Sequence, residues 1–148
     1  MQVNKEFRDI LMGRKFKRML DHIFEDICGE YNLKFIEVEV IFYLFQHPSA
    51  VASDIRRNLH LNKGHISQTL NHLCLNGYLV EGEECNDHRF IRYVITEKGH
   101  MMLDKVVKKR DAVYEKLFNG VSENDIDVLE RVMPLISKNI NELYLDAS

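Results

Sequence analysis

A membrane-spanning segment is the first thing this sequence lacks. Its longest fully apolar run, Val40 to Phe45, falls far short of the ~20 residues that a helical span requires. The first residues contain no continuous hydrophobic stretch, so no secretory leader is expected. There are three cysteines, an odd and low count that gives no disulfide framework and points to a reduced, cytoplasmic protein. Two prolines and seven glycines leave room for long helices. Excess positive charge is missing too, since the formal net charge is -3. That excludes a protein that clings to nucleic acid everywhere, because phosphate binding needs local positive charge. There is no phosphate-binding Gly loop, no G-x-S-x-G and no carboxylate pair in a plausible cleft, so an enzyme is not expected. His72, Cys74, Cys85 and His88 are the one tempting metal cluster. They lack C-x-x-C or H-x-x-x-H spacing, and neither a metal nor a cofactor is expected. What remains is 148 residues, 45% hydrophobic and 29% charged. That is ordinary single-domain composition, not a collagen, a rod or a disordered tail.

The charge is unevenly placed. Residues 1–18 carry six basic side chains against Glu6 and Asp9. Residues 19–48 carry six acids against Lys34. Residues 49–80 set Arg56, Arg57 and Lys63 against Asp54, and residues 123–148 set six acids against Arg131 and Lys138. Basic and acidic ends of one chain attract each other across an interface, although any charge run is also compatible with a plain solvated face.

Hydrophobic spacing predicts a helix over 4–28 (Phe16, Leu20, Ile23, Ile27), closed by Gly29 and Asn32. A buried helix follows over 35–46, apolar nearly all round, and then a short one from Ser49 to Leu59. After a tight turn at His60-Leu61, Asn62 caps a helix with Ile66, Leu70 and Leu73 on its inner face. Asn76-Gly77 ends it. Tyr78 to Val80 and Phe90 to Ile95 flank a polar stretch and read as a β-hairpin. Thr96 caps a helix to about Phe118, and Ser122 with Asp125 starts the last. That last helix spaces Ile126, Leu129, Met133, Ile136, Ile140 and Leu143 as a coiled-coil-type seam, with Pro134 expected to kink it.

Helix, helix, short helix, tight turn, helix, hairpin is the order of a winged helix-turn-helix. The fold class expected is mainly α with a small β-hairpin wing, carrying long N- and C-terminal helices. With Ile66, Leu70 and Leu73 turned inward, the helix after the turn projects Lys63, Gly64, His65, Ser67, Gln68, Asn71 and His72. These side chains suit base edges in a major groove. A solvated helix would carry more Lys and Glu, though a plain polar face is the other reading.

In these residues the chain resembles the MarR family of bacterial winged-helix regulators. Asp54 to Ser67 fits the first helix, turn and start of the recognition helix, and Leu73 to Val80 fits its exit. Asp87-His88-Arg89, followed by Ile95-Thr96 and Lys98-Gly99, fits the wing. The chain departs from the pattern with His60 at a turn position usually small or Gly, and with an acidic approach to the wing tip (Glu81, Glu83, Glu84). His tolerates left-handed backbone better than most residues. By resemblance Arg89 enters the minor groove and Asp87 orients an Arg; a solvated loop charge and a turn residue are the plainer readings. Arg56 and Arg57 lie where the DNA backbone passes in this motif, and Arg92 faces phosphate or solvent.

The resemblance implies a homodimeric DNA-binding regulator, a repressor by expectation, on a pseudo-palindromic duplex. It implies dimerisation regions at 1–34 and 97–148 around a DNA-binding lobe at 35–96. It also implies a small lipophilic or aromatic effector, with Phe16, Met19, Leu20, Ile23, Phe42 and Phe45 as lining. A Met and aromatic stripe is more often simply core. Two alternatives remain at this point: a winged helix that docks a protein, and a regulator sensing oxidants through Cys28, Cys74 or Cys85. None of the three cysteines stands beside the positive groups that lower a thiol pKa.

Overall fold

The computed structural model describes residues 5–6, 10, 14–82 and 90–146. It divides into two compact units, residues 1–109 and 110–148. The first unit holds helices α1 (Lys15–Ile23), α2 (Glu25–Tyr31), α3 (Phe35–Gln46), α4 (Ala52–Asn58) and α5 (Lys63–Leu75). Strands β1 (Leu79–Glu81) and β2 (Tyr93–Ile95) follow, and then helix α6 (Glu97–Leu117), which continues into the second unit. The second unit is completed by α7 (Glu123–Asp146).

From Lys15 on, the single helix expected over 4–28 is broken into Lys15–Ile23 and Glu25–Tyr31, stepping at Phe24 (φ -95°, ψ 3°). Phe24 is buried and its ring lies 5.7 Å from that of Phe35, so core packing turns the backbone there. The second helix passes through Gly29 to Tyr31 and ends at Asn32, which adopts left-handed backbone at φ 51°. Asn is one of the few residues that does so readily.

Helix α3 occupies its expected span, and Val40 and Ile41 are fully buried. Helix α4 is shorter than the Ser49–Leu59 expected. Val51 is extended and forms a β-bridge with Arg92, so the chain enters the helix from a strand-like residue. Both helices open in the same way. An acid in the first turn reaches back to the preceding backbone N–H: Lys34 N donates to Glu37 Oε2 (2.7 Å) and Val51 N to Asp54 Oδ2 (3.1 Å).

The hairpin pairs Leu79 with Ile95, Val80 with Val94 and Glu81 with Tyr93. Phe90 and Ile91 fall outside this ladder, and both are exposed. The apolar core joins α3, Ile55 of α4, the inner face of α5, Leu79, and Met102 and Leu103 of α6. Each such burial contributes ~1.5–3 kcal/mol.

Tyr78 ties these parts together. It is buried, and its hydroxyl donates to the Tyr31 carbonyl (2.6 Å). Its N–H donates to Leu73 O (2.9 Å), and its carbonyl accepts from Thr96 N (3.0 Å) and the Thr96 hydroxyl (3.2 Å). Burial pushes the phenol pKa up. Lys105 pairs with Glu30 and Lys109 with Asp26, joining α6 to α2.

In the second unit, Gly120 (φ 83°) turns the chain. Ser122 Oγ then accepts from Asp125 N (3.2 Å) to start α7. The helix continues through Pro134. No described side chain of α7 is buried: of its seam, Leu129, Met133, Ile140 and Leu143 are exposed, Leu143 by 68%.

Gly99 marks the tightest approach in the first unit. A Cβ there would meet Ile95 Cγ2 at 2.6 Å and the Tyr78 carbonyl oxygen at 2.7 Å. Gly29, also helical, has nothing within 4 Å. Gly99→Ala is therefore expected to destabilise the protein by about 1–3 kcal/mol through overpacking. Gly29→Ala should be neutral or stabilising by up to about 1 kcal/mol. Chemical denaturation of the two variants checks the contrast.

Candidate nucleic-acid interface

The turn between α4 and α5 is made by His60 in left-handed backbone (φ 52°). Leu61 N closes it on Arg56 O (2.9 Å). Asn62 Oδ1 then accepts from His65 N (2.7 Å), satisfying one of the free amides at the helix start. Ile66, Thr69, Leu70 and Leu73 seat α5 in the core. This inner face orients everything opposite.

Lys63, Gly64, His65, Ser67, Gln68 and Asn71 are all exposed, as their spacing predicts. Helical periodicity places Gly64, Ser67, Gln68 and Asn71 along the outermost stripe, with His65 and His72 together on one flank. Leu75, 78% exposed, extends this stripe, a contact candidate that polarity alone did not single out. A bare helix of this kind fits the width of a DNA major groove, about 12 Å.

Arg56 and Arg57 leave α4 into solvent. Arg57 stands 3.6 Å from Asp54 with both side chains well exposed, a pair too solvated to tie the guanidinium down. Arg92 is exposed, while its backbone bridges Val51 and accepts from Gly82 N (2.8 Å). Asp87 and Arg89 of the wing, with Cys85 and His88, lie outside the described residues.

His72 departs from the plain outward disposition. Its side chain is 44% exposed, but Nδ1 is shielded from solvent and stands 2.5 Å from Glu37 Oε1. The contact is close but poorly aligned for a hydrogen bond. Glu37 is 5% exposed. An acid inside an otherwise apolar helix is the sequence signal that marks this position. Lys34, Ile36, Glu37, His65, Gln68, Thr69 and His72 line a groove of about 240 Å³ along the flank of α5.

The residues expected to line an effector site share no single environment. Leu20, Ile23 and Phe42 pack against the core, Met19 is half-buried, and Phe16 and Phe45 are exposed. Among the described residues no group of three or more His, Cys, Asp or Glu side chains converges as a metal site, and no helix is long and apolar enough to cross a membrane.

The comparisons agree with this geometry. Residues 33–99 match the family described as Winged helix DNA-binding domain. An uncharacterised HTH-type transcriptional regulator, YkoM of Bacillus subtilis, is 26% identical over 119 residues, covering 80% of this chain and 77% of its own. The MarR protein from Peptoclostridium difficile superposes with a TM-score of 0.81 at 15% identity, covering 100% of this chain and 97% of its own. Streptococcus pneumoniae FabT in complex with DNA gives 0.64 at 21% identity, covering 88% of this chain and 98% of its own. Residues 33–99 thus match a winged-helix DNA-binding domain. The fold of the chain is that of the MarR-type structures on which it superposes.

Among the described residues, the thiols of Cys28 and Cys74 are held toward their protonated form. Burial, then Asp21, Asp26 and Glu37, push the Cys28 pKa up; burial, then Glu81, push up that of Cys74. Only the thiolate is nucleophilic, so a raised pKa lowers the reactive fraction at pH 7. Both thiols are expected to react with an alkylating reagent such as iodoacetamide more slowly than free cysteine at pH 7. Their rates should climb with pH to a plateau above the ordinary thiol range. Mass-resolved labelling against pH checks this.

Proposed function

We propose that this MarR-type protein is a sequence-specific regulator of transcription, acting as a homodimeric repressor on a pseudo-palindromic duplex. The observation that carries the reading is the outer face of α5. A helix seated by four buried side chains carries Gly64, Ser67, Gln68 and Asn71 outward, chemistry suited to base edges. Lys63, Arg56 and Arg57 beside it supply charge for phosphates. The DNA-binding lobe is residues 35–96, with dimerisation regions at 1–34 and 97–148. The open apolar seam of α7 supports the dimer, since an isologous pair covers such a face on both copies. Two-fold symmetry then sets the recognition helices about one DNA turn, ~34 Å, apart.

Arg89 is assigned to the minor groove and Asp87 to orienting an Arg, by family resemblance. A small lipophilic or aromatic effector is assigned to the stripe with Phe16 and Phe45 as its open members. Such a ligand releases DNA only through a difference in affinity for two dimer conformations. Titanic net charge is not needed for this role; a few placed cations suffice, in a protein working in the cytoplasm.

Duplexes selected from random sequence by the protein test the reading. Gln68→Ala is expected to cost about 1–3 kcal/mol on the selected duplex and to relax preference at one position of each half-site. Arg57→Ala should weaken all duplexes alike and reduce the salt slope by about 1 per half-site. Binding that ignores added salt, or selection of no sequence, overturns the proposal. Sedimentation at micromolar concentration is expected to give the dimer mass; a monomer that still binds the palindrome tightly removes the two-fold arrangement.

A further inference from the structure

We propose that Glu37 is a positioning residue for sequence readout. It fixes the tautomer of the neutral His72 ring, so that the ring presents Nε2 outward as a hydrogen-bond acceptor. This deepens the function proposed above and rests on the recognition-helix reading. The geometry behind it is local to α3 and α5. Glu37 is buried, and its Oε2 is already committed to the Lys34 backbone N–H at 2.7 Å. Its other oxygen, Oε1, faces His72 Nδ1 at 2.5 Å across the two helices. An unprotonated imidazole nitrogen and a carboxylate oxygen, both bearing lone pairs, repel at that separation. The proton of a neutral His72 therefore sits on Nδ1, and Nε2 keeps its lone pair.

The ring is held on the flank of α5 beside Gln68, with nearly half of the side chain open. A neutral ring with a bare Nε2 accepts from cytosine N4–H or adenine N6–H in a major groove. Protonation converts the same atom into a donor, suited to guanine N7 or O6 or to a phosphate oxygen. The charged and titratable groups facing the ring are Glu37 and Lys34 from α3 and His65 from its own helix, all lining the same groove. Glu37 thus selects what His72 reads without touching DNA itself.

The decisive variant is Glu37→Gln. Its carbonyl oxygen keeps the Lys34 N–H, which leaves the amide NH₂ against His72 Nδ1. That forces Nδ1 to accept and moves the ring proton to Nε2. Two measurements follow on the full chain. Nitrogen-15 NMR of the imidazole rings without DNA is expected to show Nδ1–H for His72 in the parent protein and Nε2–H in E37Q. The parent showing Nε2–H, or an unchanged tautomer in folded E37Q, overturns the proposal.

Selection from random duplexes at pH 8 should give the parent an A or C opposite His72. E37Q should lose that preference about three- to tenfold, the worth of one hydrogen bond. His72→Ala should lose the same preference. A preference that survives in His72→Ala overturns the proposal. Should E37Q not fold, the parent NMR spectrum and His72→Ala still decide it. The two readings fail separately: absence of any sequence selection removes the recognition-helix proposal, whereas intact selection that ignores E37Q removes only the Glu37 role.

Discussion

The rest of the first unit depends on the backbone and ring of Tyr78. It is the residue immediately after the left-handed Gly77 that ends α5. Through its N–H it closes the exit of α5 on Leu73, through its carbonyl it receives both polar groups of Thr96, and through its hydroxyl it reaches Tyr31. One buried residue, through its backbone and its hydroxyl, therefore sets α5, the hairpin base, the start of α6 and the end of α2 against each other. A buried phenol is costly unless its hydroxyl is satisfied, and the Tyr31 carbonyl satisfies it. Lys98 completes the site, its Nζ 4.3 Å from the ring centre and bonded to Asn76 O (2.9 Å). Gly99 is obligatory for the same reason: only a residue without Cβ lets the first turn of α6 lie against the Tyr78 carbonyl.

Local chemistry made much of this legible in the sequence. Asn62, Gly77 and Ser122 act within a few residues of themselves, as Thr96 does in capping Gly99 N, and each stands where cap and turn preferences place it. The outward face of α5 was legible because three apolar residues at helical spacing fix the opposite side. What spacing did not reveal depends on distant partners. Phe24 breaks the first helical stretch because it packs on Phe35. Val51 leaves α4 because it bridges Arg92, 41 positions away along the chain. Glu37 sits in an apolar run, and nothing within that run says that its second oxygen meets His72, 35 positions on. Asp87 and Arg89 lie outside the described residues, so the roles proposed for them rest on family resemblance alone.

Charge is used sparingly. A chain of net charge -3 has no general attraction for a polyanion, so its cations must be placed. Lys63, Arg56 and Arg57 stand at the entrance to α5 or beside it. Two acids of α2, Glu30 and Asp26, are instead matched by Lys105 and Lys109 of α6. In the function proposed above, specificity comes from contacts that bulk charge cannot replace, and the neutral groups of α5 are candidates for them.

The hydroxyl of Tyr78 also bears on where this protein can be cut. The segment that matches the winged-helix family begins at residue 33, yet the acceptor for that hydroxyl is the carbonyl of Tyr31. Phe24 and Ile27, from the same preceding stretch, belong to the same core as α5. A fragment trimmed to the family boundary would carry a stranded phenol and an opened hydrophobic wall. The winged-helix segment is thus not a cassette that can be lifted out and grafted. Its smallest transferable form includes the helices ahead of it.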